Sequence, residues 1–228
     1  MIIGYTNQLA TATLTATSED ASYPLENLFH KWKKKLFKAT TTTTTITITL
    51  AAEMTINSFF MLYHNTSACE VRLYHDANLL DTWTVTHDSW HVSVATVTSV
   101  QVDLTSSATI YVGSMFVGGS IDSNKEASQD MPLMSTDNPT FSSDYQVSGK
   151  EGSILRSANV SVPLLTATER KALETMFKDV GLTKPFFLDL WESSATSFEP
   201  LYGVITGSFG VQHTYDSDTV SFNFQEVN

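Results

Sequence analysis

Along the first half of the chain, apolar and polar residues alternate with a period of two. Thr43 to Leu50 sets Ile46, Ile48 and Leu50 on one face against Thr45, Thr47 and Thr49 on the other, the signature of a half-buried strand. Threonine is β-branched, so this run favours extended backbone over a flexible linker. Ile56 to Tyr63 (INSFFMLY) is apolar on both faces and predicts a central strand covered on two sides. Cys69, Val71 and Leu73 then alternate with Glu70, Arg72 and Tyr74. Further runs hold Trp83 and Val85; Trp90, Val92 and Val94; Val100, Val102 and Leu104; and Ile110, Val112 and Phe116. Short strands at this spacing, with no helical period among them, predict a mainly β fold: an antiparallel sandwich or jelly roll over residues 1–118.

Gly118-Gly119-Ser120 ends that pattern. Residues 119–152 are polar, carry Pro132, Pro139, Gly149 and Gly152, and show no periodicity, which predicts an irregular linker or arm ordered by a partner. From 153 to 228 the pattern predicts a smaller β domain with one packed helix. Ile154 to Val162 reads as a strand, and Thr166 with Glu169 forms a capping box in which each side chain satisfies a backbone N–H of the first turn. Leu173, Met176, Phe177 and Val180 follow as an apolar stripe, and Gly181 supplies the left-handed stop. Strands are expected at Pro185–Trp191, Leu201–Thr206, Phe209–Tyr215 and Thr219–Val227, with a hairpin connection at Tyr215–Asp218.

Composition narrows the function classes. The chain has 228 residues, 13 Lys+Arg against 24 Asp+Glu and a net charge of −11, with only 16% charged residues. Ser and Thr together supply about a quarter of it. A surface of hydroxyls suits an extracellular, viral or assembled protein better than a cytosolic enzyme, and the acidity argues against nucleic acid, which needs a basic footprint. The lone Cys69 excludes a disulfide framework and a CxxC zinc site. With no secretory pattern at the start and no long apolar run, neither export nor membrane insertion is expected.

Catalytic chemistry finds little footing. His87 and His91 have a zinc-like i, i+4 spacing, yet they fall between two predicted strands, where that spacing fixes no geometry. Gly207-Ser208-Phe209-Gly210 lacks the nucleophile-elbow spacing, and the carboxylates Glu19-Asp20 and Asp216/Asp218 read as turn formers. No catalytic, cofactor or metal residue is therefore expected.

Two features stand out for binding. Lys31, Lys33, Lys34, Lys35 and Lys38 place five of the 13 basic residues within eight positions around Trp32. They read either as a solvated loop or as a dock for an acidic surface of a neighbouring subunit, anchored by Trp32. Trp83, Trp90 and His91 are candidate glycan contacts, since sugar faces stack on aromatic rings; the same alternation also fits both tryptophans as inward core residues.

Ser22-Tyr23-Pro24-Leu25-Glu26-Asn27-Leu28-Phe29, followed by Lys35 to Ala39, the ITITL strand and Ile56 to Asn65, resembles the discoidin-like (galactose-binding-like) β-sandwiches over residues 1–118. The lysine cluster replaces the acidic stretch that such domains carry after Asn-Leu. Ile110 to Gly118 (IYVGSMFVG), an irregular segment, Gly152 to Arg156, Leu165 to Arg170 and Val220 to Val227 together resemble distal tail or tail-tip proteins of long-tailed bacteriophages. That second resemblance implies a virion structural protein that oligomerises around the tail axis. Its partners would be the tail tube, the hub and copies of itself; the alternative reading is a carbohydrate-binding protein that contacts host surface glycans through the sandwich loops.

Overall fold

The computed structural model describes the chain outside residues 31–34, 86–88, 124–127, 131–132, 136–137, 142–146, 151–153, 191–199, 214–216 and 228. Residues 89–94, and the strands between 128 and 155, are described by their backbone alone. The molecule is mainly β, with antiparallel pairing and one α-helix. It divides into two compact units: Met1–Ser123 with Phe186–Pro200, and Asn124–Pro185 with Leu201–Asn228. The division thus falls at Ser123/Asn124, five residues beyond the expected boundary.

The first unit contains β1 (Ile2–Gly4), β2 (Thr13–Ala16), β3 (Phe37–Lys38), β4 (Thr43–His64), β5 (Ala68–His75), β6 (Asn78–Val85), β7 (Ser89–Thr105), β8 (Tyr111–Gly118) and β9 (Ser120–Asp122). Strand order is β3-β8-β4-β7-β5-β6, with β2 also on β4. The two strands expected at 43–50 and 56–63 are one strand of 22 residues. Its first half pairs with β2 and with the end of β7 (Thr43↔Thr105, Thr49↔Ser99), and its second half pairs with β8 (Ser58↔Gly118, His64↔Val112). Register shifts between Thr49 and Met54, and between Ile56 and Ser58, interrupt its pairing with β7, which continues on both sides of them. The exposed Ala51-Ala52-Glu53 stretch interrupts the hydrophobic pattern without ending the strand.

Alternation then decides the core. Ile46, Ile48 and Leu50, with Val71, Leu73, Val100, Val102 and Leu104, pack against Phe37, Phe59, Met61, Val112, Met115 and Val117 in a single buried cluster. The threonine face stays polar: Thr45 donates to Asp103, which Arg72 holds through Nη2 at 2.6 Å. The second half of β4 is buried on both sides, as its sequence predicts. Phe60 forms an aromatic cluster with Phe116 and Phe187, with ring centroids 5.5 and 5.3 Å away. A Cβ on Gly4 would lie 2.9 Å from both the Phe60 and Phe116 rings, so only glycine lets β1 approach them.

Cys69 belongs to this core, and burial beside Asp103 and Glu70 pushes its thiol up to about 12. Folded protein is therefore expected to resist a thiol-specific disulfide reagent at pH 8 and to react within minutes in denaturing urea. Rapid labelling of the native chain would contradict this placement. The same shift means that the folded state holds a proton the unfolded chain has lost between about pH 9 and 12, so stability falls as pH rises through that window.

The second unit holds β10 (Ser128–Asp130), β11 (Leu133–Ser135), β12 (Asn138–Phe141), β13 (Val147–Lys150), β14 (Ile154–Leu165) and α1 (Ala167–Val180). The strand β15 (Phe186–Asp189) returns to the first unit, where it pairs with β1, and β16 (Leu201–His213) and β17 (Asp218–Glu226) complete the second. The reading of 119–152 as irregular is corrected. β9 pairs with β1, β10 and β11 pair with β14, and β12 pairs with β13. Strands of three or four residues are too short to show a period, and three of these five find partners far away in sequence.

β14, β17 and β16 form the body of this sheet, with Val160, Val162, Phe222 and Phe224 buried in alternation. The strands expected at 201–206 and 209–215 are one, bulged between Thr206 and Phe209 where Gly207 takes φ +83°. His213↔Asp218 closes the expected hairpin, although Tyr215 and Asp216 lie outside the described residues. α1 is capped as predicted. The Thr166 hydroxyl accepts from the Glu169 N–H, the Glu169 carboxylate accepts from the Thr166 N–H, and Gly181 ends the helix at φ +56°. A cap of this kind is worth about 1 kcal/mol. Leu173, Met176 and Val180 are buried, and Phe177 stacks on Phe209 at 4.7 Å.

Candidate functional site

Pleating places chemistry on the outer face of the β3–β8–β4 layer. Phe37 lies opposite Val112, and both side chains enter the core. Their neighbours Lys38 and Tyr111 are also direct partners, so they share the opposite, outward face. The Tyr63 ring, at the end of β4, stands 5.9 Å from Tyr111 at an interplanar angle of 48°. On the other side, Lys38 Nζ sits 3.8 Å from the centroid of Tyr23, a cation–π contact. The result is a continuous strip: Tyr63, Tyr111, Lys38, Tyr23. Tyr63 is 53% exposed and Tyr23 36%, while Tyr111 and Lys38 are half-buried.

The strip is held from behind by hydrogen bonds. Asn65 accepts from the Tyr111 N–H at 2.9 Å and donates to the Thr109 carbonyl at 2.9 Å, tying the end of β4 to the start of β8. The Lys38 N–H donates to the Tyr23 carbonyl at 3.1 Å, and the Asp20 N–H donates to the Lys38 carbonyl at 2.9 Å. Asn27, from the Tyr-Pro-x-x-Asn segment, donates to the Leu36 carbonyl at 2.8 Å and fixes the approach to β3. Tyr63 takes φ +54°, a left-handed conformation costing about 1 kcal/mol or more for such a residue. This strained backbone turns an aromatic ring outward.

Charge on the strip is one-sided. Among the described residues, neither Lys38 nor the exposed Lys35 has a carboxylate within ion-pair distance. Two acids of the preceding loop, which joins the strip where the Asp20 N–H donates to the Lys38 carbonyl, are engaged with backbone: Glu19 accepts from the Leu25 N–H at 2.9 Å and Asp20 from the Ser22 N–H at 2.9 Å. Flat, partly apolar rings beside an ammonium suit a ligand with a flat apolar face and polar edges. No group of three metal-ligating side chains is assembled among the described residues, and no described helix is long and apolar enough to cross a membrane.

The residues singled out from sequence fare unevenly. Trp83 is corrected: it is 3% exposed, lies in the sandwich core and donates from Nε1 to Asp81 at 2.8 Å, so no sugar can stack on it. The backbones of Trp90 and His91 pair with Phe59 and Ser58 inside β7, and their side chains lie outside the described residues. His87, Lys31, Trp32, Lys33 and Lys34 lie outside them altogether. β6 pairs with β5, while β7 pairs with β4 and β5; residues 86–88 between them lie outside the described residues. Of the lysine cluster, Lys35 and Lys38 are placed, and Lys38 enters the strip. Tyr23, Tyr63 and Tyr111 were not anticipated. Their signal was a tyrosine at the mouth of each segment: Tyr-Pro, Tyr-His-Asn and Ile-Tyr-Val.

No protein-family model matches the chain, and no curated protein does. Solved structures do resemble half of it. One is chitosan-binding module 1 of a chitosanase/glucanase from Paenibacillus sp. IK-5, 18% identical, covering 50% of this chain and 99% of that one, with a TM-score of 0.43. Another is a GH29 fucosidase from Ruminococcus gnavus, 12% identical, covering 50% of this chain and 27% of that one, with a TM-score of 0.45. Neither is a phage tail protein.

Proposed function

We propose that the first unit is a carbohydrate-binding β-sandwich whose ligand lies on the Tyr63–Tyr111 face. The observation that carries this reading is the pair of outward rings 5.9 Å apart, one of them 53% exposed and held there by a left-handed backbone. The C–H face of a pyranose covers an aromatic ring, and its hydroxyls reach polar groups at the rim. Tyrosine suits this well, combining an apolar body with a polar tip and little rotamer entropy to lose. The role is binding, with no catalytic constellation invoked.

Affinity electrophoresis through gels containing neutral or acidic polysaccharides tests the proposal. The wild-type chain is expected to be retarded by at least one of them. Tyr63→Ala and Tyr111→Ala should each weaken binding about fivefold to tenfold, the scale of one lost aromatic contact. Mobility unchanged in every gel, or retardation indifferent to both substitutions, would sink it. The tail-tip reading, with its ring of subunits and its virion location, rests on the order of sequence motifs, and no feature of the fold or strip adds to it.

A further inference from the structure

We infer that the strip selects a saccharide bearing a carboxylate, a uronate, with Lys38 as its counter-ion; this deepens the carbohydrate reading and rests on it. Direct cross-strand partners have Cβ atoms about 5 Å apart, so a sugar ring seated on Tyr111 puts its in-plane substituents over Lys38. In a uronate the equatorial substituent at C5 is the carboxylate. Stacked against Tyr111, it meets the Lys38 ammonium edge-on. The Tyr23 ring beneath, 3.8 Å from Nζ, holds the ammonium by its π-face and leaves N–H donors for a ligand oxygen.

Two further observations make the lysine selective. First, Lys38 has no carboxylate partner among the described residues, while Glu19 and Asp20 accept from the Leu25 and Ser22 N–H groups. A neutral sugar covering Tyr111 would strip water from the ammonium of half-buried Lys38 and return only neutral hydroxyl acceptors, a cost that a carboxylate offsets. A site built around an unmatched polar group rejects the analogue that lacks its partner. Second, the chain as a whole carries −11, so its overall field repels polyanions and, among the described residues of the strip, attraction rests on Lys38.

The test titrates the full chain with trigalacturonate, its trimethyl ester, dextran sulfate and single-stranded DNA. The acid is expected to bind about tenfold more tightly than the ester, as one charge-assisted hydrogen bond provides, and its affinity should fall with added salt. Lys38→Gln, checked for folding by circular dichroism, should bring acid and ester within about twofold of each other while ester binding persists; Lys38→Arg should keep the preference. Equal binding of acid and ester by the wild type, or a preference that survives Lys38→Gln, overturns the inference and leaves the carbohydrate reading standing. Dextran sulfate or DNA binding as tightly as the uronate also overturns it, since charge alone would then suffice. Failure to bind any saccharide, together with no binding in the polysaccharide gels, removes the carbohydrate reading itself.

Discussion

Phe60→Ala is expected to destabilise the first unit by about 4 kcal/mol, a large share of a typical domain's stability. The Phe60 ring is fully buried and lies 5.3 Å from Phe187, nearly parallel at 21°, and 5.5 Å from Phe116, edge-on at 71°. Phe116 and Phe187 themselves stand 5.6 Å apart, so the three rings close a triangle. Truncating one removes its apolar transfer energy and leaves a cavity as well. Gly4 covers that cavity with a residue that has no side chain to move in, and strand backbone cannot collapse to fill it. Phe60→Leu, which keeps most of the volume, should cost less than about half as much. Urea unfolding followed by tryptophan fluorescence, to which the buried Trp83 contributes, reads the difference. A shift equivalent to less than about 1 kcal/mol would mean that the cluster is not the packed unit described.

Glu226→Ala is expected to cost the second unit about 3 kcal/mol. The Glu226 carboxylate is 4% exposed and accepts from Arg156 Nη2 at 2.7 Å, from Nε at 3.2 Å and from the Arg156 backbone N–H at 3.2 Å. Deleting it leaves a guanidinium and a backbone donor facing a vacated site. Because the Arg156 side chain keeps 25% exposure, water can reach the guanidinium, which holds the loss to the low end for buried pairs. The double variant Arg156→Met/Glu226→Leu should recover at least half of the loss, since the pair's own desolvation cost disappears with it. Far-UV circular dichroism at the helix band follows this unit through α1. A double variant as unstable as the single one would show that the cost lies in packing rather than in the loss of this ion pair.

Features decided by near neighbours were legible in the sequence. The Thr43–Leu50 alternation, the Thr166–Glu169 box and the Leu173/Met176/Val180 stripe all depend on residues within a turn or two, and each stands in the structure as read. What escaped depends on partners far along the chain. A two-residue strand such as Phe37–Lys38 has no period of its own, yet its register against β8 brings Lys38 beside Tyr111, 73 positions later. β15 returns to the first unit from beyond the helix, a choice that Phe187 makes by meeting Phe60 and Phe116. Trp83 shows the converse ambiguity: an aromatic on an alternating strand looks the same whether it faces sugar or core, and only the burial of its cross-strand neighbours Val71 and, beyond it, Val102 decides. Of the strip, Lys38 alone was singled out in the sequence; its tyrosines became visible through strand pairing and ring contacts.

β4 carries one last implication, for how the strip can change over evolutionary time. Binding surfaces built on loops diversify by insertion and deletion, because extra residues there disturb little. Tyr63 instead ends a strand whose preceding residues, Phe59 to Leu62, are buried on alternate faces, and a single inserted residue would exchange those faces. Tyr111 opens β8 under the same constraint, locked to Lys38 and Asn65. The spacing of the aromatic rings is thus inherited with the core, and new specificities can arise on this surface only by exchanging one side chain for another.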